Sequence, residues 1–269
     1  MSHPLPFRAV CTIVCVAATL SACGPEPTPV PPDIPYDSSP GAVLVRIRTE
    51  SPALPVEYQR NALPTCTLYG NGRVVWANPL QGGGEQLLEG VISAEKMQKF
   101  FHFIIDKGFF IWVNQVSDSV LPPEGVSTYT TITVNLAGAT HAVSAYDSGA
   151  LHGFDDIINR CLELVTEPTL IEPDAGWLTA FAAQPGGDRP YQCWPPDAPV
   201  SLAEAAAAGQ VWLEGPYATF AWATLHESEG VPLFLEGGVC GTEGGLGQLY
   251  AVIFEVPDIS PMAPPRPAP

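Results

Sequence analysis

Apolar and polar residues alternate over 42–49, AVLVRIRT. Val43, Val45 and Ile47 fall on one side and Leu44, Arg46 and Arg48 on the other, the pattern of a strand with one buried face. Three prolines make 51–64 a loop. In CTLYGNGRVVWA, two β-type runs flank Asn71-Gly72, a pair that tolerates positive φ and signals a hairpin. After the break at 81–84, residues 85–92 read as another strand. Ser93 then opens a helix as its N-cap, with Glu95 in the first turn and Met97, Phe101, Ile104 and Ile105 at helical spacing. Phe100 and Phe103 widen the apolar face, and Gly108 closes the helix in the left-handed region. Residues 109–113 read as a strand and 116–125 as a loop. TYTTITVNL is a strand with Ile132, Val134 and Leu136 on one face; it turns at Ala137-Gly138 into the hairpin partner ATHAVSA. Residues 151–165 predict a second helix, with Ile157, Ile158, Cys161, Leu162 and Val165 on its buried side. A two-proline link, 167–174, follows.

Beyond it, 176–183 reads as a strand and 185–199 as a Pro/Gly-rich loop. Ser201 caps a short alanine-rich helix, 202–208, closed by Gly209. QVWLEG, YATFAWATL, VPLFLEGG and QLYAVIFEV read as strands, with Phe220 and Trp222 alternating with Ala221 and Ala223 in the second. Residues 257–269 hold six prolines and read as a loose tail. The fold class expected is therefore α+β: a small antiparallel sheet packed by two helices over 41–166, followed by a second β-rich domain over 176–256.

The N-terminal pattern concerns location. Arg8 precedes an uncharged run of twelve residues, AVCTIVCVAATL. It has the length of a signal-peptide apolar region and is shorter than the ~20 residues needed to span a bilayer. Leu20-Ser21-Ala22-Cys23 follows: an aliphatic residue, two small residues, then cysteine. Cys11 and Cys15 do not fit, because each follows a valine. This segment resembles the bacterial lipoprotein signal. The resemblance implies removal of residues 1–22, diacylglycerol (and so palmitate-like chains) on Cys23, and a place in the cell envelope on the extracytoplasmic side of a bacterial membrane. Two acyl chains suffice for stable attachment where one is marginal. Prolines at 25, 27, 29, 31, 32, 35 and 40 make 23–40 a tether; at ~3.1 Å per residue its 17 residues beyond Cys23 would reach about 50 Å.

Charge narrows the partners. Without residues 1–22, ten bases stand against 28 acids, a formal charge of −18. That argues against nucleic acid, whose binding draws on Lys and Arg to release counterions, and against anionic headgroups. Cys66, Cys161, Cys193 and Cys240 remain after the anchor. An even number in an oxidising compartment suggests two disulfides. Of the three pairings, Cys66–Cys161 with Cys193–Cys240 keeps each bond inside one expected domain.

The Tyr69-Gly70-Asn71-Gly72-Arg73-Val74 hairpin, the helix closing in Gly108-Phe109-Phe110 and the Thr131-Ile132-Thr133-Val134 strand occur together. Over 41–166 the combination resembles an uncharacterised α+β domain of secreted bacterial proteins and lipoproteins, and it implies no activity or catalytic residues.

Chemistry is sparse. The densest stretch, HAVSAYDSGALHGFDD, offers His141, Asp147, Ser148, His152, Asp155 and Asp156. A metal reading would use His141, Asp147 and His152, but the spacing matches no known metal motif, and Asp147 with Ser148 more simply caps the turn into the helix. There is no G-x-S-x-G elbow. Glu227/Glu229 and Glu236/Glu243 could offer calcium oxygen ligands, though a solvated acidic face is the commoner outcome. Trp177, Trp194, Trp212 and Trp222 fall in the second half, where aromatic faces could take a glycan or peptide if they are not core. No cofactor is expected. The reading is a membrane-anchored binding or scaffolding protein. The alternative is an extracytoplasmic hydrolase or metal-dependent enzyme with a site near His141–His152.

Overall fold

A computed structural model describes residues 32–268 apart from 52, 82, 117–127, 147–150, 185–189, 228–230 and 238–246. Ile34–Pro269 make one compact unit. The fold is α+β. Its first sheet is antiparallel throughout, built from β1 (Val43–Glu50), β2 (Cys66–Tyr69), β3 (Arg73–Pro79), β4 (Glu85–Val91), β5 (Tyr129–Leu136), β6 (Ala139–Tyr146) and β7 (Thr169–Ile171), in the order β6-β5-β1-β2-β3-β4-β7. The Asn71-Gly72 turn joins β2 to β3, with Gly72 at φ 84°. β7 arises within 167–174, expected as a link: Leu170 pairs with Leu88 and extends the sheet past β4.

One face of this sheet takes two helices, α2 (Ala94–Asp106) and α3 (Phe154–Leu162). As the sequence indicated, Ser93 Oγ accepts from the Lys96 amide and Gly108 sits in the left-handed region at φ 76°. Phe100, Phe101, Ile104, Phe154 and Ile157 are buried against Val45, Ile47, Leu68, Ile132 and Val134, each contributing roughly 1.5–3 kcal/mol on leaving water. Cys66 and Cys161 sit at disulfide distance with Cα atoms 6.3 Å apart, tying β2 to α3. Cys193 is disulfide-bonded; Cys240 lies outside the described residues. Gly90 lets α3's end approach, because a Cβ there would overlap the Val165 side chain.

The opposite face of β2–β4 packs on a second, mixed sheet. Its strands are β8 (Ala175–Ala182), β9 (Gln192–Cys193), β10 (Val211–Glu214), β11 (Leu233–Glu236) and β12 (Gln248–Glu255), in the order β10-β8-β12-β11-β9. Tyr69, Val75 and Leu87 share one core with Leu178, Trp194, Trp222 and Phe254. The segments 41–166 and 176–256 thus each supply a sheet, and the sheets are buried against one another. Two helices contribute to the same core, α4 (Leu202–Ala208) and α5 (Pro216–Trp222).

Five expectations are corrected. A bulge between Val43 and Val45 breaks the alternation of β1, so that Leu44 joins Val45 and Ile47 in the core under the helices while Val43 packs on the second core. Residues 56–61 form a helix, α1 (Val56–Asn61), inside the expected loop. Pro55 and Glu57 suit a helix start, and Asn61 then bonds β12 where it runs past the end of β11, donating to the Val252 carbonyl and accepting from the Phe254 amide. Residues 109–111 are a 3₁₀ turn rather than a strand. YATFAWATL is α5 followed by a π turn, Ala223–Glu227: Pro216 at N1 and the alanines outweigh the period-two alternation. The terminal segments are less free than their prolines suggested. Ile34 and Tyr36 pack on the first core, the Ala137 amide donates to the Pro35 carbonyl, and Ile259 is buried in the second. Among the described residues no helix is long and apolar enough to cross a membrane.

Candidate functional site

The second sheet covers only part of the first. In register, Arg46 lies opposite Thr67 and Thr133, Arg48 opposite Thr131, and Glu50 opposite Tyr129. These side chains therefore point to the same face as Tyr69 and Val75, and all but Thr67 lie on β1 and β5 rather than on β2–β4. The loop before α1 and the C-terminal segment rise over this strip. Between them is a cavity of about 280 Å³ lined by Arg48, Glu50, Leu54, Tyr58, Tyr129 and Met262 among others. That approaches the lower end of ligand-sized pockets.

Its polar groups are held by one another. Arg48 Nη2 pairs with Glu50 Oε1 at 3.0 Å, with both side chains under a third exposed. Tyr129 donates its hydroxyl to Glu50, and this bond, with partial desolvation and the Glu50 charge, pushes its pKa to about 12. The phenol therefore stays protonated, and a donor, through the physiological range. Tyr146 packs edge-on to Tyr129 with ring centroids 6.0 Å apart. Thr131 and Ser144 hydroxyls continue the polar strip at 2.8 Å. Leu54 and Met262 offer apolar surface, 45% and 60% exposed. The cavity combines a guanidinium, a carboxylate, a phenol oxygen and apolar walls, a set suited to recognition.

Farther along the face, charge is spent on structure. Glu255 is fully buried and meets the Arg60 guanidinium through two hydrogen bonds, Nε at 3.1 Å and Nη2. The Tyr69 hydroxyl donates to the Asp258 carbonyl. Burial raises its pKa, against the opposing pull of Arg46 and Arg73.

The predicted site residues are dispersed. His141 is mid-β6 with its ring 5.2 Å from Phe109 and 5.8 Å from Phe110, and its Nε2 is buried without a hydrogen-bond partner. His152 is exposed in the turn before α3. Asp155 and Asp156 sit in the first turn of α3, Asp156 paired with Lys107. Asp147 and Ser148 lie outside the described residues, as do Glu229, Glu243 and the side chain of Glu227. Among the described residues no three His, Cys, Asp or Glu side chains are grouped to hold a metal. Glu236 instead caps a helix: its carboxylate accepts from the Leu202 and Ala203 amides at 2.7 and 2.8 Å, where the α4 dipole favours an anion. Cys23 lies outside the described residues.

Of the four tryptophans, Trp194 and Trp222 are core, 4% and 0% exposed. Trp177 and Trp212 are half-buried cross-strand partners with ring centroids 5.1 Å apart. Their indole N–H groups are taken by the Pro265 carbonyl and Glu214. The Arg48–Tyr129 cavity itself was not read from the sequence. The alternation of β1 marked Arg46 and Arg48 as facing away from the helices, but nothing local announced that Tyr129 and Met262 would join them. Compared with known protein families, curated proteins and solved structures, the chain matches none.

Proposed function

We propose that this is a lipid-anchored extracytoplasmic binding protein, held by Cys23, that takes a short peptide segment in the Arg48–Tyr129 cavity. The cavity is the observation that carries the binding half. A guanidinium and a carboxylate 3.0 Å apart offer complements to a peptide's backbone carbonyl and neighbouring amide N–H. Leu54 and Met262 offer apolar contact, and the Tyr129 phenol oxygen, its proton given to Glu50, is left as an acceptor. The Leu20-Ser21-Ala22-Cys23 pattern carries the anchoring half. A glycan at the Trp177–Trp212 pair is less favoured because both indole donors are already bonded.

Calorimetric titration of the mature chain with trialanine, and separately with a chitin oligomer, tests the reading. Binding heat is expected for the peptide, lost in Arg48→Ala and Glu50→Ala and kept in Trp212→Ala. Heat only with the sugar, lost in Trp212→Ala, would move the site. Absence of either, with a divalent-metal rise in melting temperature abolished by His141→Ala or His152→Ala, would favour the hydrolase alternative.

A further inference from the structure

We infer that the apolar turn closing α2 is seated in the headgroup–acyl boundary of a zwitterionic bilayer, an inference that rests on the lipid-anchor reading. Four large apolar side chains crowd nine residues of sequence: Ile105 is 43% exposed, Phe110 38%, Ile111 84% and Val113 77%. Their exposure has a local cause. Gly108 ends α2 in the left-handed region, and the 3₁₀ turn that follows sends Phe109 fully into the core while leaving Phe110 and Ile111 outside. Grouped exposed apolar surface of this kind marks an interaction site.

The lipid is indicated by where the chain enters the body. The Ile34 amide donates to Gln98 Oε1 and Gln98 Nε2 donates to the Ile34 carbonyl, both at 2.9 Å. Tyr36 lies against Phe101 at 5.3 Å. The N-terminal segment is thus clipped onto α2 itself. Gln98 and Ile105 are seven residues apart and share a helix face, about 10 Å from each other along the axis at 1.5 Å per residue. Ten residues lie between Cys23 and Ile34, eleven Cα steps along the chain. Fully extended they reach no more than about 40 Å, shorter than the tether the prolines alone suggested, because 34–40 lie on the body. An acylated Cys23 therefore holds the point where the chain joins α2 within about 40 Å of the membrane.

The chemistry of the rim agrees. The chain's three lysines, Lys96, Lys99 and Lys107, are all on or beside α2. Lys107 lays its stem across Phe103, with its ammonium 5.1 Å from the ring centre, and ends on Asp156. Such side chains cover apolar surface while their charge stays in water. Asp106 and Asp156 beside the turn, and a formal charge of −17 overall, favour zwitterionic over anionic lipid.

The test uses the full, lipid-modified chain in phosphatidylcholine vesicles carrying a chain-attached spin label. An environment-sensitive fluorophore is placed at Ile111→Cys or, as control, at Tyr217→Cys, a site 49% exposed on α5. The label at 111 is expected to be quenched at least about fivefold more than the label at 217, as for a group buried at the interface. Vesicle flotation with equal quenching at both sites would overturn the docking and leave the anchor standing. A shift at 111 that grows with protein-to-lipid ratio and ignores the spin label would assign the patch to a second copy instead. Failure of the wild-type chain to float would remove anchor and docking together.

Discussion

Joining β2 to α3 through Cys66 and Cys161 should set much of the stability of the helix-covered sheet. The bond spans 95 residues of sequence. A loop of that size loses about 16 cal/mol/K of unfolded-state entropy on closure, or about 4.7 kcal/mol at 25 °C. Strain and residual unfolded structure usually lower the yield to 2–4 kcal/mol. For a chain of this length each kcal/mol moves the midpoint by about 2–4 °C. Reduction, verified by mass as two added hydrogens for Cys66–Cys161 and two more for the bond at Cys193, should lower the calorimetric midpoint by at least about 10 °C. Both sulfurs of Cys66–Cys161 are fully buried, so the Cys66→Ala/Cys161→Ala pair should by itself fall about 10 °C or more, two small cavities adding to the lost cross-link. A midpoint within about 2 °C of the oxidised protein after verified reduction would refute the cross-link's role and weaken the case for an oxidising compartment.

Three further outcomes are expected. His226 is buried without a partner for its Nε2, stacked 4.1 Å from Trp222, and burial lowers its pKa to about 3. Below pH 6.5 the unfolded state binds a proton that the folded state refuses, so stability falls with pH through the window 6.5 to 3. Wild type should lose about 2 kcal/mol more than His226→Phe between pH 6.5 and 4.5, and parallel urea midpoints for the two would contradict this. Glu255→Ala strands Arg60, whose side chain is 24% exposed, so the cost should lie near the lower end of a broken buried pair, about 3 kcal/mol by denaturant melt. Gly90→Ala drives a methyl into Val165 and should cost about 1–2 kcal/mol; an unchanged melt would show that α3's end has room to move.

The elements that were legible are those whose signals are local. Asn71-Gly72, the Ser93 and Ser201 caps, Gly108, and the alternation of Val45–Arg48 and Ile132–Leu136 each state their geometry within a few residues, and the structure follows them. The misses are cases where local pattern and tertiary setting disagree. Phe220 and Trp222 alternate with alanine as a strand would, yet Ala218, Ala221 and Trp222 form one buried helical stripe against the second sheet. Phe109–Ile111 is rich in β-forming residues, but Gly108 has already reversed the chain and only Phe109 finds the core. Thr169–Ile171 is too short to announce itself and exists because the β4 edge accepts it. Of the candidate chemistry, the acidic residues were visible but not their use. Glu236 and Glu255 serve a helix terminus and an ion pair with groups 33 and more residues away in sequence. The cavity at Arg48 depends on three separated segments meeting over one sheet face, which no single stretch encodes.

The structure places a recognition-suited cavity on the uncovered strip of the first sheet, and clips the N-terminal segment to α2 beside a patch of exposed apolar side chains. Both acquire their proposed roles from the location given by Cys23. Intact-mass spectrometry of the native product, isolated from its own host, tests that directly. The account predicts a chain that begins at Cys23 and carries the mass of a diacylglycerol thioether. An unmodified cysteine there, or a chain retaining residues 1–22, would contradict it.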